Sequence, residues 1–97
     1  MSDVITFDKE MAITRKMFLE TLARALGERD YRVDGARVLV EDGARSMELA
    51  LLGEGVRRLG SFTLPAAHVR ITLTGHSADQ ADDALAWFDR WFQRAGG

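Results

Sequence analysis

Val69-Arg70-Ile71-Thr72-Leu73-Thr74 decides the fold. Apolar and polar residues alternate along it without a break. That is the period of a β-strand with one buried and one wetted face. Something must therefore cover the side that carries Val69, Ile71 and Leu73. The residues that follow supply a cover. Ser77 has Gln80 three positions on, which is the capping box that opens a helix. Asp79, Asp82 and Asp83 place negative charge near the positive end of the helix dipole. Ala81, Ala84, Leu85, Phe88, Trp91 and Phe92 then recur at helical spacing. Strand and helix together predict a sheet with a helix across one face.

Upstream of that strand the chain is punctuated by turns. Asp34-Gly35 and Asp42-Gly43 are hairpin signals, expected to form type I′ turns. Between them residues 36–41 read as a strand. After them Met47, Leu49 and Leu51 alternate with Glu48 and Ala50. Gly53-Glu54-Gly55 is expected to make the next turn. Residues 56–64 then read as a strand with broken phase, since Leu59 faces one way and Phe62 and Leu64 the other. A β-bulge at Leu59-Gly60-Ser61 would bring them into line. Pro65 is expected to stop this strand.

Toward the N-terminus, residues 11–26 read as a second amphipathic helix. Met11, Phe18, Leu22, Ala25 and Leu26 form its stripe, widened by Ile13 and Met17. Gly27 suits its end. Its start has three candidate caps, Thr6, Asp8 and Thr14. A cap at Thr14 would free residues 4–7 for a short strand.

The expected fold is α+β. It is a two-layer sandwich of a four- or five-stranded antiparallel meander, with N- and C-terminal helices packed on one face. The order is α-β-β-β-β-α, with room for a short extra strand near residues 4–7 or 31–33. Residues 1–97 form one domain. The chain is 46% hydrophobic and 29% charged, which fits a folded core rather than a disordered chain.

Composition removes several functions. There is no cysteine, so no disulfide, thiolate nucleophile or cysteine-built metal site exists. The net charge of −2 argues against a dedicated nucleic-acid binder. No apolar run approaches the roughly 18 residues that span a bilayer. A cytoplasmic location, in a bacterial-type protein, is the expectation.

No catalytic, cofactor-binding or metal-binding set stands out. His68 and His76 both lie at strand ends, and no spacing rule ties either to a nucleophile or a ligand partner. Three surfaces remain. Trp87, Met17 and Ile13 broaden the apolar stripes beyond what one sheet face needs, and are candidates for contact with a protein partner or a second copy. Arg57, Arg58 and Arg70, with His76, are candidate anion contacts. Over residues 30–70, however, six acids (Asp30, Asp34, Glu41, Asp42, Glu48 and Glu54) offset six arginines. Phe18, Leu22, Phe62, Phe88 and Phe92 are candidate walls of an apolar ligand cavity between helices and sheet. A non-catalytic, self-associating interaction module, a homodimer in its simplest form, is the leading expectation. An apolar-ligand carrier and an anion or nucleic-acid binder follow it.

Overall fold

The computed structural model describes residues 4–95. The chain runs β1 (Val4–Met11), α1 (Arg15–Leu26), β2 (Tyr31–Asp34), β3 (Arg37–Asp42), β4 (Arg45–Leu59), β5 (Phe62–Thr74) and α2 (Ala78–Ala95). All five strands form one antiparallel sheet in the order β1-β5-β4-β3-β2. Both extra strands foreseen as options are present.

The deciding stretch behaves as its alternation requires. Ala67, Val69, Ile71 and Leu73 are buried, while Arg70 is exposed. Both helices lie on the buried side. Phe18 and Leu22 of α1 meet Phe88 and Phe92 of α2 over Leu49, Val69, Ile71 and Leu73. The Phe88 and Phe92 rings stack with centroids 4.3 Å apart, and Phe18 lies 5.9 Å from Phe92. Among the described residues no element covers the opposite side of the sheet.

Both helix starts are fixed by side chains. The Thr14 hydroxyl accepts the Met17 amide at 3.2 Å. In the capping box the Ser77 hydroxyl accepts the Gln80 amide at 3.2 Å, and the Gln80 side-chain carbonyl accepts the Ser77 amide at 2.9 Å. Because Thr14 is the cap, residues 4–11 are released as an eight-residue strand rather than a helical lead-in. Their alternation hides behind Lys9, which sits among the inward positions Ile5, Phe7 and Met11. Lys9 runs its stem along the core edge and gives its ammonium to Asp89 of α2 at 2.9 Å.

Four expectations along the strands are corrected. Pro65 stops no strand; it lies within β5, opposite Val56. Gly53-Glu54-Gly55 is no turn; it lies within β4, opposite His68, Ala67 and Ala66. The hairpin turns instead at Gly60-Ser61, with Leu59 opposite Phe62 and Gly60 at φ +63°. The broken phase of residues 56–64 thus marked a reversal of the chain, not a bulge. A reversal puts Leu59 and Phe62 side by side on one face. The bulge is elsewhere: Leu52 is the extra residue, where the register jumps between Leu51 and Gly53. The other two hairpins turn where expected, but their loops are Gly35-Ala36 and Gly43-Ala44. Positive φ occurs at the glycine and not at the alanine, which is the type II′ pattern rather than I′.

Candidate functional site

β4 and β5 are far longer than their neighbours. β3 pairs with β4 only up to Ala50, and β1 pairs with β5 only from Ala67 onward. Beyond those limits residues 52–66 continue alone as a two-stranded arm, and the molecule measures 47 × 26 × 22 Å. Both edges of the arm are open. A two-stranded ribbon without a covered face is only marginally stable in water.

The arm's side chains do not suit water. Val56 and Phe62 are 71% exposed and Leu59 is 54% exposed; Leu52 and Leu64 are exposed as well. They are spread over both faces. Val56 lies opposite Pro65 on the side that carries the helices, while Leu59, Phe62 and Leu64 lie on the open side. Among the described residues no other segment covers either face, and single exposed apolar residues are ordinary but a set of this size on one ribbon is not. A cleft of about 460 Å³ at the base of the arm is lined by Met11, Val56, Leu59, Leu64 and Pro65, among others.

The two edges differ. On the β5 edge stands Pro65, which has no amide to offer an incoming strand. The free stretch of the β4 edge, residues 52–59, contains no proline.

The residues singled out from sequence fall in different places. Ile13 is 1% exposed and belongs to the core, so it is not a partner contact; the chain folds it under after β1 ends. Met17 and Trp87 are half-buried against the core. Trp87 also lines a cleft of about 290 Å³ with Val40, Met47 and His76. Helical spacing puts Trp91 in the buried stripe, yet Trp91 is 36% exposed, while Trp87 is packed part-buried against the core beside Val40 of β3 and Met47 of β4.

The candidate anion contacts are not assembled. Arg70 donates to Asp8 at 2.8 Å and Arg57 to Glu10 at 3.0 Å, both on the open side of the sheet. Arg58 is on the other face of the arm. His76 sits at the far end of β5 and donates from Nδ1 to the Thr74 carbonyl at 3.1 Å. Of the candidate cavity walls, Phe18, Leu22, Phe88 and Phe92 are packed together in the core, and Phe62 is at the arm tip. Phe62 was assigned to the interior because a strand through residues 56–64 would have carried it there. Among the described residues no cluster of three or more His, Cys, Asp or Glu side chains is placed to hold a metal ion.

The Asp8 carboxyl is held below the usual aspartate range. The hydrogen bond from Arg70 is the main cause; partial desolvation opposes it. His68 Nε2 lies 3.4 Å away and adds to the lowering. A depressed folded-state value means that the pair's stabilisation is complete above the unfolded aspartate pKa. It is lost as pH falls through the folded value. In an NMR titration Asp8 is expected to ionise at lower pH than an ordinary aspartate, and Arg70→Gln is expected to move it back up. An unchanged midpoint in Arg70→Gln would contradict this.

Comparison with family models, with curated proteins and with solved structures finds no match to this chain.

Proposed function

We propose that this protein is a non-catalytic interaction module that associates with itself through the β4–β5 arm. The observation that carries the reading is the arm's exposed apolar set, Val56, Leu59, Phe62 and Leu64, on a ribbon that no other described segment covers. Burying such side chains yields about 25 cal/mol for each Å² of apolar surface removed from water. Association through the arm removes part of that surface from water. A second copy also stiffens a ribbon that is marginal alone. The absence of cysteine fits work in a reducing compartment such as the cytoplasm, where there is no disulfide to lose.

Sedimentation tests the reading. At about 100 μM, a range in which weak specific contacts populate, the protein is expected to sediment as a species heavier than its 10.8 kDa chain. Val56→Thr, Leu59→Thr, Phe62→Thr and Leu64→Thr, combined, keep strand propensity while removing apolar surface. The combined variant is expected to be monomeric with a similar melting temperature. A wild-type protein that is monomeric under these conditions removes the proposal.

A further inference from the structure

We infer that two copies join edge to edge along β4, antiparallel, about a two-fold axis at Val56. The inference rests on the arm being the contact element, and it names the surface and the register.

The choice of edge follows from the backbone. Leu59 and Phe62 close a two-residue loop, so their N–H and C=O groups face each other. Direction alternates along a strand, which turns the N–H and C=O groups of Glu54, Val56 and Arg58 outward from the hairpin. Those groups have no partner strand, because β3 ends at Arg37 opposite Ala50, and the last bond on that side runs from the Leu51 amide to the Ala36 carbonyl. The β5 edge of the arm is interrupted by Pro65, at a position where its missing amide would also point outward. Only the β4 edge can accept a strand along its length.

The register follows from three independent observations. First, the free edge runs from Leu52, where β3 stops, to Gly60, where the chain turns. Its midpoint is Val56. Pairing about that midpoint seats each arm tip against the end of the partner's β3, with the two bodies at opposite ends. Second, Glu54 and Arg58 are equidistant from Val56 and lie on the same face. Two-fold pairing sets each Glu54 opposite the partner's Arg58 and each Val56 opposite the partner's Val56. Within the chain, among the described residues, neither Glu54 nor Arg58 has an ion-pair partner. Opposite charges directly across an antiparallel pair are stabilising. Third, Gly55 interrupts a strand where nothing inside the chain requires a glycine, and Gly53 does so beside the bulge at Leu52. Neither has positive φ, and a Cβ on either would meet nothing within 4 Å. The same pairing places the partner's Leu59 beside Gly53 and the partner's Arg57 beside Gly55. Glycine in a strand interior often marks the approach of another chain.

Charge exchange and cross-linking test the pairing. In sedimentation equilibrium Arg58→Glu and Glu54→Arg are each expected to weaken association about tenfold, since every dimer then holds two like-charge pairs. The double variant carrying both exchanges is expected to return to near the wild-type value. The second test exploits the absence of other cysteines. Directly opposed residues in such a pair lie about 5.5 Å apart at Cα, inside the range of about 4.4–6.8 Å that a disulfide spans. Val56→Cys is therefore expected to form a linked dimer rapidly with oxidised glutathione, and Thr63→Cys, on the proline-bearing strand, to do so slowly. A wild-type protein that associates, yet ignores both charge exchanges and links equally well through either cysteine, overturns this register and leaves the interaction module standing. A wild-type monomer overturns both.

Discussion

Phe88→Ala is expected to remove most of the folding stability. Phe88 is fully buried and stacked on Phe92, which in turn touches Phe18 of α1. Truncating a buried Phe to Ala costs about 3–5 kcal/mol, the transfer of the ring plus the cavity it leaves. A small domain lies toward the low end of the roughly 5–15 kcal/mol that folded domains have to lose. The three rings are where the two helices meet, so the site cannot collapse without moving one helix relative to the other. The expected result in urea denaturation is a midpoint lowered by more than half with a similar slope. Phe88→Ala together with Phe92→Ala is expected to cost less than the two single changes added, because the second change removes a contact the first has already broken. A loss below about 1 kcal/mol for Phe88→Ala would show that the rings do not hold the helices to the sheet.

Gly75→Ala is expected to be the most damaging substitution of a small residue. Gly75 joins β5 to α2 at φ +78°, in the region that disfavours a side chain. It also lies hard against the hairpin between β3 and β4: an added Cβ would stand 2.7 Å from the Ala44 carbonyl oxygen. The neighbour is backbone, so relief requires moving a loop or the start of α2. Backbone strain of about 1–2 kcal/mol and overpacking of about 1–3 kcal/mol give an expected loss of about 2–5 kcal/mol. Gly43→Ala separates the two terms. Gly43 has φ +62° but open space around it, so it carries the strain alone. Equal losses at the two positions, measured by thermal or urea unfolding, would mean that the contact with Ala44 has no energetic role.

Elements with a local signature were legible in the sequence. The alternation of residues 69–74, the Ser77–Gln80 box and the Asp-Gly hairpins each encode their structure within a few residues, and all three stand where expected. What escaped depends on partners distant in sequence. The strand Val4–Met11 was obscured by Lys9, whose burial makes sense only once Asp89 is beside it. Gly53-Glu54-Gly55 reads as a turn, and Leu59-Gly60-Ser61 as a bulge. Gly-Ser between Leu59 and Phe62 is itself a two-residue hairpin signal, and it also repairs the phase. That misplacement hid the arm, because a turn at residues 53–55 gives strands of ordinary length and no projection. Trp91 is exposed and Trp87 half-buried, an order that a helical wheel misses because it does not contain β3. The arm, the candidate site, was therefore not legible as a unit, although Val56, Leu59, Phe62 and Pro65 were all visible as residues.

The pairing of β1 with β5 has a consequence for the order of events during synthesis. Val4 lies opposite Thr74, and the ladder continues to Met11 opposite Ala67. The first strand made therefore has no place in the sheet until the fifth has left the ribosome. Contacts that close such long stretches of chain form slowly. Until then Ile5 and Phe7 stay in solvent on a growing polypeptide, where exposed strand-forming segments invite aggregation. A fragment released before residue 74 would lack the lane into which its own beginning must dock.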